Sequence, residues 1–263
     1  MNGLYRVRLV IGLAVSLVPA LAVAQSPFLR STDTRTSTPE TLLSSRESWG
    51  ADFNFGATLN RGNVDFTSLA FGLGVVKKWQ RSALSLAGSA LYNTFGSKQV
   101  FNQGTATLRY DRWLSENWRL FAFNSHAYND FILLNYRATV GAGPWYDLKL
   151  GPTVHGLSLA GTYEYESFQG GVTDSAGRLS FRLASKIPVS PIAELDLDFF
   201  YVPRASDLDD YHLYAQVSLE TLFVKSLFGL KVSWIDEYDS RPQPGIKTND
   251  QLFLASLTCH VGK

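Results

Sequence analysis

Apolar and polar residues alternate along most of the chain, in segments of roughly ten to fourteen residues that begin at Trp49 and are separated by turns. The alternation is clearest in Ile192–Pro203, where Glu194, Asp196 and Asp198 occupy every second position. The residues between them are apolar: Ala193, Leu195, Leu197, Phe199 and Tyr201. Since neighbouring side chains of a strand point to opposite faces, this period of two predicts a strand with one apolar and one charged face.

Segments of this kind predict about twelve strands, an even number as in single-chain bacterial outer-membrane barrels. The predicted strands are Trp49–Asn60, Val64–Trp79, Ser82–Phe95, Asn102–Leu114, Trp118–Asp130, Tyr136–Leu148, His155–Phe168, Arg178–Val189, Ile192–Pro203, Tyr211–Val224, Leu227–Asp239 and Asp250–His260. The alternation is weaker in the fourth, fifth, sixth and twelfth. The predicted fold class is all-β: a transmembrane, antiparallel, up-and-down β-barrel over residues 49–263.

The lengths of the predicted connections support this interpretation. Turns after the second, fourth, eighth and tenth strands are very short, whereas Gln169–Gly177, Arg204–Asp210 and Ser240–Asn249 are longer. Outer-membrane barrels alternate tight periplasmic turns with longer extracellular loops. Two connections fit less well, because Arg61–Asn63 is short for an outer loop and Lys149–Val154 is long for an inner turn.

Aromatic residues concentrate near the predicted strand ends. The tryptophans at the predicted periplasmic ends are Trp49, Trp79, Trp113, Trp118 and Trp145. The tyrosines toward the opposite rim are Tyr92, Tyr136, Tyr165, Tyr201, Tyr211 and Tyr238. Aromatic girdles at both membrane interfaces are typical of such barrels. A soluble periplasmic β-sandwich is the alternative, because aromatic residues also favour strands in general.

A closed barrel follows from the chemistry of lipid. Lipid provides no hydrogen-bond partners, so an open sheet edge in a bilayer would leave backbone groups unpaired at a cost of several kcal/mol each. Closure then directs the charged face of each strand inward. We predict an inward network of nine charged residues: Arg109, Glu164, Glu166, Arg182, Lys186, Glu194, Asp196, Asp198 and Glu220. Such a barrel is wide enough for water, but side chains can block it.

The first 24 residues have the features of a cleaved export signal. Arg6 and Arg8 precede the apolar run Leu9–Val23, and Ala22–Ala24 is a small-x-small cleavage site, so we expect a mature chain that begins at Gln25. Residues 25–48 lack an apolar period and predict a flexible, polar periplasmic leader. Together with the predicted barrel, the export signal predicts a location in the outer membrane. The expected partners are membrane lipid, lipopolysaccharide and the outer-membrane assembly machinery.

Composition agrees with a membrane barrel. Charged residues make up 18% of the chain, against about 25% in soluble proteins. The formal charge is only +1, so nucleic acid is not an expected partner. Mean hydropathy is −0.04, which argues against a helical membrane protein. Cys259 is the single cysteine, so no intramolecular disulfide can form, and we expect a small, half-buried residue there.

Three stretches carry a resemblance to a known family. They are Asn60–Asp65, Arg109–Trp118 and Tyr238–Asp250, and the second leads to Asn129-Asp130 and to Gly141–Gly143. In order and spacing they are similar to the family of salt-induced outer membrane proteins, also called domain of unknown function 481. The resemblance covers most of residues 49–263. It implies an outer-membrane barrel and no established activity.

The chain departs from such barrels at its C-terminus. They often finish on an aromatic residue that assists assembly, whereas this sequence finishes Cys259–Lys263. The departure bears on assembly rather than on the fold.

Candidate catalytic and metal-binding residues are sparse. The histidines are widely separated: His126, His155, His212 and His260. None forms a metal-spacing pair, and we expect no metal or cofactor. Asn124 and His126 share one face of the fifth strand, which is compatible with a lipid-acting hydrolase. Ser125 points to the other face, so a nucleophile would have to come from another strand.

Two predicted loops have compositions that could indicate a function. Asp207, Asp209 and Asp210 form an acidic loop without the spacing of a calcium loop, so a solvated loop is the preferred interpretation. Pro242, Pro244 and Gly245 stiffen the last extracellular loop, which can fold over a pore mouth or can be simple turn chemistry.

Three functional hypotheses follow. The first is a non-enzymatic barrel that conducts small solutes or supports the envelope under salt or osmotic stress, the stress role coming only from the family name. The second is an outer-membrane acyl hydrolase. The third is a closed structural barrel without a pore.

Overall fold

The computed structural model describes residues 48–60, 66–95, 98–223 and 228–262. Almost all of these residues belong to twelve strands, which confirms the predicted fold class. The strands are β1 Ser48–Asn60, β2 Phe66–Trp79, β3 Ser82–Phe95, β4 Lys98–Trp113, β5 Trp118–Asn129, β6 Leu134–Leu150, β7 Thr153–Phe168, β8 Thr173–Ser190, β9 Ala193–Arg204, β10 Asp207–Phe223, β11 Phe228–Asp239 and β12 Asn249–Gly262. The predicted signal peptide and nearly all of the predicted leader lie outside the described residues.

The strands form one closed antiparallel barrel. Each strand pairs with its neighbours in sequence, and β1 closes the barrel by pairing with β12. The closing register places Gly50 opposite Gly262 and Phe55 opposite Leu257. Every wall strand therefore has a partner on both sides, and this pairing satisfies the backbone hydrogen-bonding groups that lipid cannot satisfy. Within the described residues, no helix combines the length and the apolar character that a membrane crossing needs.

The two faces of the wall differ in chemistry. Large apolar side chains on the outer face are exposed, for example Phe53, Leu86, Phe181 and Leu257. Charged and hydroxyl side chains occupy the alternate, inward positions, and most of them are buried. This arrangement is the reverse of a soluble protein and is that of a membrane-spanning barrel. The transmembrane antiparallel barrel predicted from the alternation is therefore confirmed.

An apolar cluster inside the barrel covers the inner wall of β9–β12. It contains Phe200, Val202, Tyr214, Ile235 and Leu252, each less than 9% exposed. The rings of Phe200 and Tyr214 meet edge to face, with centroids 5.8 Å apart. This part of the inner wall is therefore apolar, with charged inward residues on the same strands toward both ends of the barrel.

The predicted strict alternation of loop lengths is wrong. Strand β8 already begins at Thr173, and residues 205–206 alone join β9 to β10, where Gln169–Gly177 and Arg204–Asp210 were expected to be long loops. The sequence there is polar, but inward Arg–Asp pairs across neighbouring strands stabilise the extended ladder. Among the described connections, only 240–248 is long. At the other rim, β6 and β7 are joined by a tight turn at Gly151 (φ +61°), so Lys149–Val154 is not a long connection.

Candidate functional site

All nine charged residues of the predicted inward network lie on the inner face of the barrel, as the strand registers and the ion pairs between them require. They do not form one network. Near mid-height and at both ends they form separate groups with inward residues that the sequence analysis did not single out.

The mid-height group begins with Arg109 and Asp111 on β4. Arg109 donates to both carboxylate oxygens of Asp111, from Nε and Nη2, at 2.9 Å each. Arg119 on β5 lies between two carboxylates, with Nε 3.6 Å from Asp111 Oδ1 and Nη2 3.7 Å from Asp147 Oδ1. Trp145 Nε1 donates to Asp147 at 2.6 Å. None of these five side chains is more than 4% exposed.

Trp145 is the centre of this group. Its ring lies close to three guanidinium carbons, those of Arg119 at 4.5 Å and of Arg109 and Arg182 at 5.2 Å each. Such cation–π contacts strengthen when the groups are desolvated. The ring fits against the wall because Gly156 on β7 has no side chain, and a Cβ there would lie 2.0 Å from the ring.

Arg182 connects this group to the apolar cluster on β9–β12. It donates from Nε and Nη2 to the two oxygens of Asp198, at 2.8 and 3.0 Å. Its guanidinium carbon also lies 4.6 Å from the ring of Phe200, which belongs to the apolar cluster. We call the seven residues of this group the Trp145 layer: Arg109, Asp111, Arg119, Trp145, Asp147, Arg182 and Asp198.

A second group lies at the extracellular end of the inner wall. Arg178 donates to Glu164 at 3.0 Å and to Asp210 at 3.1 Å. Arg204 pairs with Asp174 and, at 2.6 Å, with Asp210. Two further members, Arg137 and Glu166, form a pair one strand away. These contacts cross from β6 to β10 and hold the strand extensions together.

A third group lies near the periplasmic end. Lys186 pairs with Glu194, and Lys231 Nζ lies 3.4 Å from Asp196. Glu220 accepts hydrogen bonds from Thr258 at 2.5 Å and lies 2.7 Å from His260 Nε2. The three groups give the described interior charges of both signs at every height.

The girdle prediction is wrong for two tryptophans. Trp113 and Trp145 point inward and are 7% and 1% exposed. Trp113 covers Arg119, whose guanidinium carbon is 5.4 Å from its ring. The physical reason is parity, since both tryptophans occupy alternate positions in register with inward charged residues. The remaining girdle residues lie on the outer face: Trp49, Trp79, Trp118, Tyr92, Tyr136, Tyr165, Tyr201, Tyr211 and Tyr238. At the extracellular rim, Tyr201, Tyr211 and Tyr238 contact one another in sequence.

The residues weighed for hydrolase chemistry do not converge. His126 Nδ1 lies 2.7 Å from the hydroxyl of Tyr136, on the outer face. Ser125 points inward and its hydroxyl is 2.8 Å from that of Thr107. Asn124 lies on the outer face beside Leu108 and Val140 in the ladders.

Two aspartates of the predicted acidic loop, Asp207 and Asp210, form ion pairs. Asp210 accepts from Arg178 and Arg204, and Asp207 accepts from Arg241 Nη1 at 2.7 Å. This hydrogen bond lowers the pKa of Asp207, and the carboxylate in turn raises the pKa of Arg241. In the described part of the chain, histidine, cysteine and carboxylate side chains nowhere gather in threes as a metal site requires.

The last extracellular loop, 240–248, is ordered as well as long. The amide of Asp239 donates to the carbonyl of Thr248 at 2.8 Å, which closes its base. The tip turns at Gly245, with φ +87°, and Ile246 donates to the carbonyl of Gln243 at 2.9 Å. Pro242, Gln243 and Ile246 face a cavity at the barrel mouth.

The inward arginines that sequence analysis missed are Arg119, Arg137, Arg178 and Arg204. Each of them lies an even number of residues from other inward residues of its strand, and this spacing could have identified it. In Trp118–Asn129, Arg119 shares a face with Phe121, so that inward face did not look polar.

Comparison with known structures finds other outer-membrane proteins. The translocator domain of the autotransporter NalP from Neisseria meningitidis matches with 11% identity over 89% of this chain and 92% of that chain, at a TM-score of 0.46. An outer membrane channel from Pseudomonas putida matches with 14% identity over 84% and 97%, at 0.49. The NanC porin matches with 10% identity over 82% and 97%, at 0.45. Comparison with curated proteins gives no match.

A family model described as "Protein of unknown function, DUF481" matches residues 53–260. The match extends from β1 to β12 and thus spans the whole barrel wall. It includes all three stretches on which the sequence resemblance rested. This barrel belongs to the DUF481 family.

Proposed function

We propose that the protein is a non-enzymatic outer-membrane barrel that acts in the envelope without an open pore, its lumen closed by the Trp145 layer. The observation that carries the proposal is the burial of this layer. Arg109, Arg119, Trp145 and Asp147 are each at most 1% exposed, although they face the inside of a barrel wide enough for water.

The layer is electrically balanced. Three arginines face three aspartates, so neither anions nor cations find an uncompensated charge there. Opening a path through the layer means separating buried pairs, and removing one partner of such a pair costs about 3–5 kcal/mol. The balance thus favours a permanent closure over a selectivity filter.

A small-solute channel is the second candidate. Several inward positions on β1–β3 are occupied by small residues, among them Gly72, Gly74 and Ala87, and Asp52 and Asn54 beside them are half-buried. A narrow polar path along this wall would bypass the Trp145 layer. The hydrolase hypothesis is not favoured, because Ser125 and His126 lie on opposite faces.

Conductance across planar bilayers tests the proposal. Refolded wild-type protein should give no steady channel steps, whereas Trp145→Ala combined with Arg119→Ala should give them, because the two truncations remove the centre of the layer. Trp118→Ala is the matched control, since Trp118 is a girdle tryptophan on the outer face. Steady steps from the wild type that persist unchanged in the double variant would favour the small-solute channel instead.

A further inference from the structure

Three polar side chains meet on the lipid-facing side of the wall, at the periplasmic ends of β3 and β4. Arg112 Nη1 donates to Ser82 Oγ at 3.0 Å, and the same oxygen lies 2.9 Å from the hydroxyl of Tyr110. Ser82 and Arg112 are directly opposite in the ladder, and the outward Tyr110 and Arg112 flank the inward Asp111. We call Ser82, Tyr110 and Arg112 the Arg112 site.

The Arg112 site lies at the depth of the lipid headgroups. Trp79, on the lipid-facing side of β2, is directly opposite Ser82 in the β2–β3 ladder. Tryptophan side chains concentrate at the interface between membrane and water, where an amphipathic ring meets both. An arginine at this height directs its guanidinium toward the headgroups, while its alkyl part covers apolar wall. Lipid phosphates are therefore the anions nearest to Arg112 outside the protein.

The positive charge of this rim has no counter-ion in the described part of the protein. Arg112 donates to Ser82 and makes no ion pair with any described residue. Lys77, which is exposed on the lipid-facing side, lies diagonally from Ser82 in the β2–β3 ladder, and Arg81 lies in the turn between these strands. On the described parts of β1–β5, no aspartate or glutamate points outward. An external anion is therefore favoured at this rim.

The Arg112 site offers the hydrogen-bond donors that a phosphate group requires. A guanidinium has several N–H donors, and within the described protein Arg112 uses them for a single hydrogen bond. The remaining N–H groups include a pair that binds two phosphate oxygens in a bidentate manner. The hydroxyls of Ser82 and Tyr110 use one hydrogen for the bond between them, which leaves the other for a ligand. Charge and donors thus converge on one point.

The wall next to the Arg112 site, toward the membrane centre, is apolar. Leu86 and Leu108 are directly opposite each other on its lipid-facing side, and both are nearly half exposed. Gly88 and Ala106 follow as the next outward pair, and their small size lets a hydrocarbon chain approach the backbone closely. A free phosphate ion gains nothing from such surface, whereas a phospholipid gains from the charged rim and from the apolar wall.

We infer that the Arg112 site binds an anionic phospholipid of the periplasmic leaflet through its phosphate group. Arg112 and Lys77 hold the phosphate, Ser82 and Tyr110 orient the guanidinium, and the acyl chains lie along the apolar wall. A lipid with a net negative charge is preferred over a zwitterionic one, because the rim repels a headgroup ammonium. This binding goes beyond a barrel with a closed lumen and does not depend on it, since the site is on the outer face.

Native mass spectrometry of the full chain, refolded in detergent and titrated with phosphatidylglycerol, tests the inference. Wild-type protein should bind this lipid saturably, and Arg112→Gln should weaken the binding about tenfold, as expected for the loss of a charge-assisted hydrogen bond. Lys247→Gln is the matched control, because it removes one positive charge from the loop at the opposite end of the barrel. If Arg112→Gln does not fold, Lys77→Gln replaces it and should weaken binding in the same direction.

Two further ligands separate the headgroup from other sources of phosphate. Phosphatidylethanolamine should bind more weakly than phosphatidylglycerol, and inorganic phosphate should not displace the bound lipid, because it has no acyl chains. Displacement by inorganic phosphate would assign the site to the free ion and overturn the inference. So would an absence of saturable binding by the wild type, equal weakening by Arg112→Gln and Lys247→Gln, or equal affinity for the two lipids.

Discussion

The contact between Gly156 and Trp145 makes a specific prediction about stability. In Gly156→Ala, the new Cβ would lie 2.0 Å from Cζ2 of Trp145 and 2.6 Å from Cε2, so the ring has to move. Overpacking of this kind costs about 1–3 kcal/mol. Movement of the ring also weakens its contacts with three guanidinium groups, each worth about 0.5–1 kcal/mol or more. We expect a loss of about 3 kcal/mol.

Gly161→Ala is the matched control on the same strand. Gly161 points outward, and a Cβ there meets nothing within 4 Å. Alanine is favoured over glycine in a strand by roughly 0.5–1 kcal/mol, so this variant should be as stable as the wild type or slightly more stable.

Urea-induced unfolding of the barrel from phospholipid vesicles, followed by tryptophan fluorescence, measures both free energies. Equal stability of Gly156→Ala and Gly161→Ala would refute the account of the Trp145 layer. A double-mutant cycle adds a second check, because Trp145→Ala removes the clash. Adding Gly156→Ala to Trp145→Ala should therefore cost much less than adding it to the wild type.

Three further predictions concern the inner wall, the loop and the outer wall. Asp198→Asn removes the charge opposite buried Arg182 and should lower the free energy of unfolding by about 3 kcal/mol in the same urea assay; an unchanged value would contradict a buried pair inside the barrel. The ion pair with Arg241 lowers the pKa of Asp207. The stability that this pair gives to the loop 240–248 is therefore complete above the ordinary pKa range of aspartate and is lost as pH falls through the lowered pKa. Protease cleavage of the loop 240–248 should accordingly increase only in acid for the wild type and already at neutral pH for Asp207→Asn; similar cleavage of both proteins at neutral pH contradicts a role of this ion pair in holding the loop. A spin label on Cys259, which pairs with lipid-facing Phe53, should collide more with dissolved oxygen than with a water-soluble nickel chelate, and the opposite order would place it in the lumen.

Sequence alone was sufficient for the strand count and the facing of the best-patterned strands. In Ile192–Pro203 each position has one dominant character, so a period of two identifies both faces. In Trp118–Asn129 the inward face carries Phe121 and Phe123 beside Arg119, so both faces contain apolar residues and the alternation fades. The weak pattern there had a physical cause: aromatic residues fill the lumen.

The strand ends and the ion-pair groups could not be predicted from the sequence, because they depend on partners in other strands. Asp174, Arg204 and Asp210 look like loop residues when each is considered alone. In the barrel they meet across β8, β9 and β10, and the ladder continues through them. The placement of Trp113 could have been found, since it lies two and four residues from Asp111 and Arg109 on the same face.

The seam between β1 and β12 differs from the rest of the wall. Among the described residues, six pairs join these strands, from Gly50 to Phe55, whereas thirteen join β1 to β2. All other pairings connect neighbours in sequence and can form as successive hairpins, but this one brings together opposite ends of the chain. During biogenesis the two terminal strands consequently keep free edges until the last step. In the assembled barrel, this short seam has the fewest backbone hydrogen bonds to break during a lateral opening of the wall.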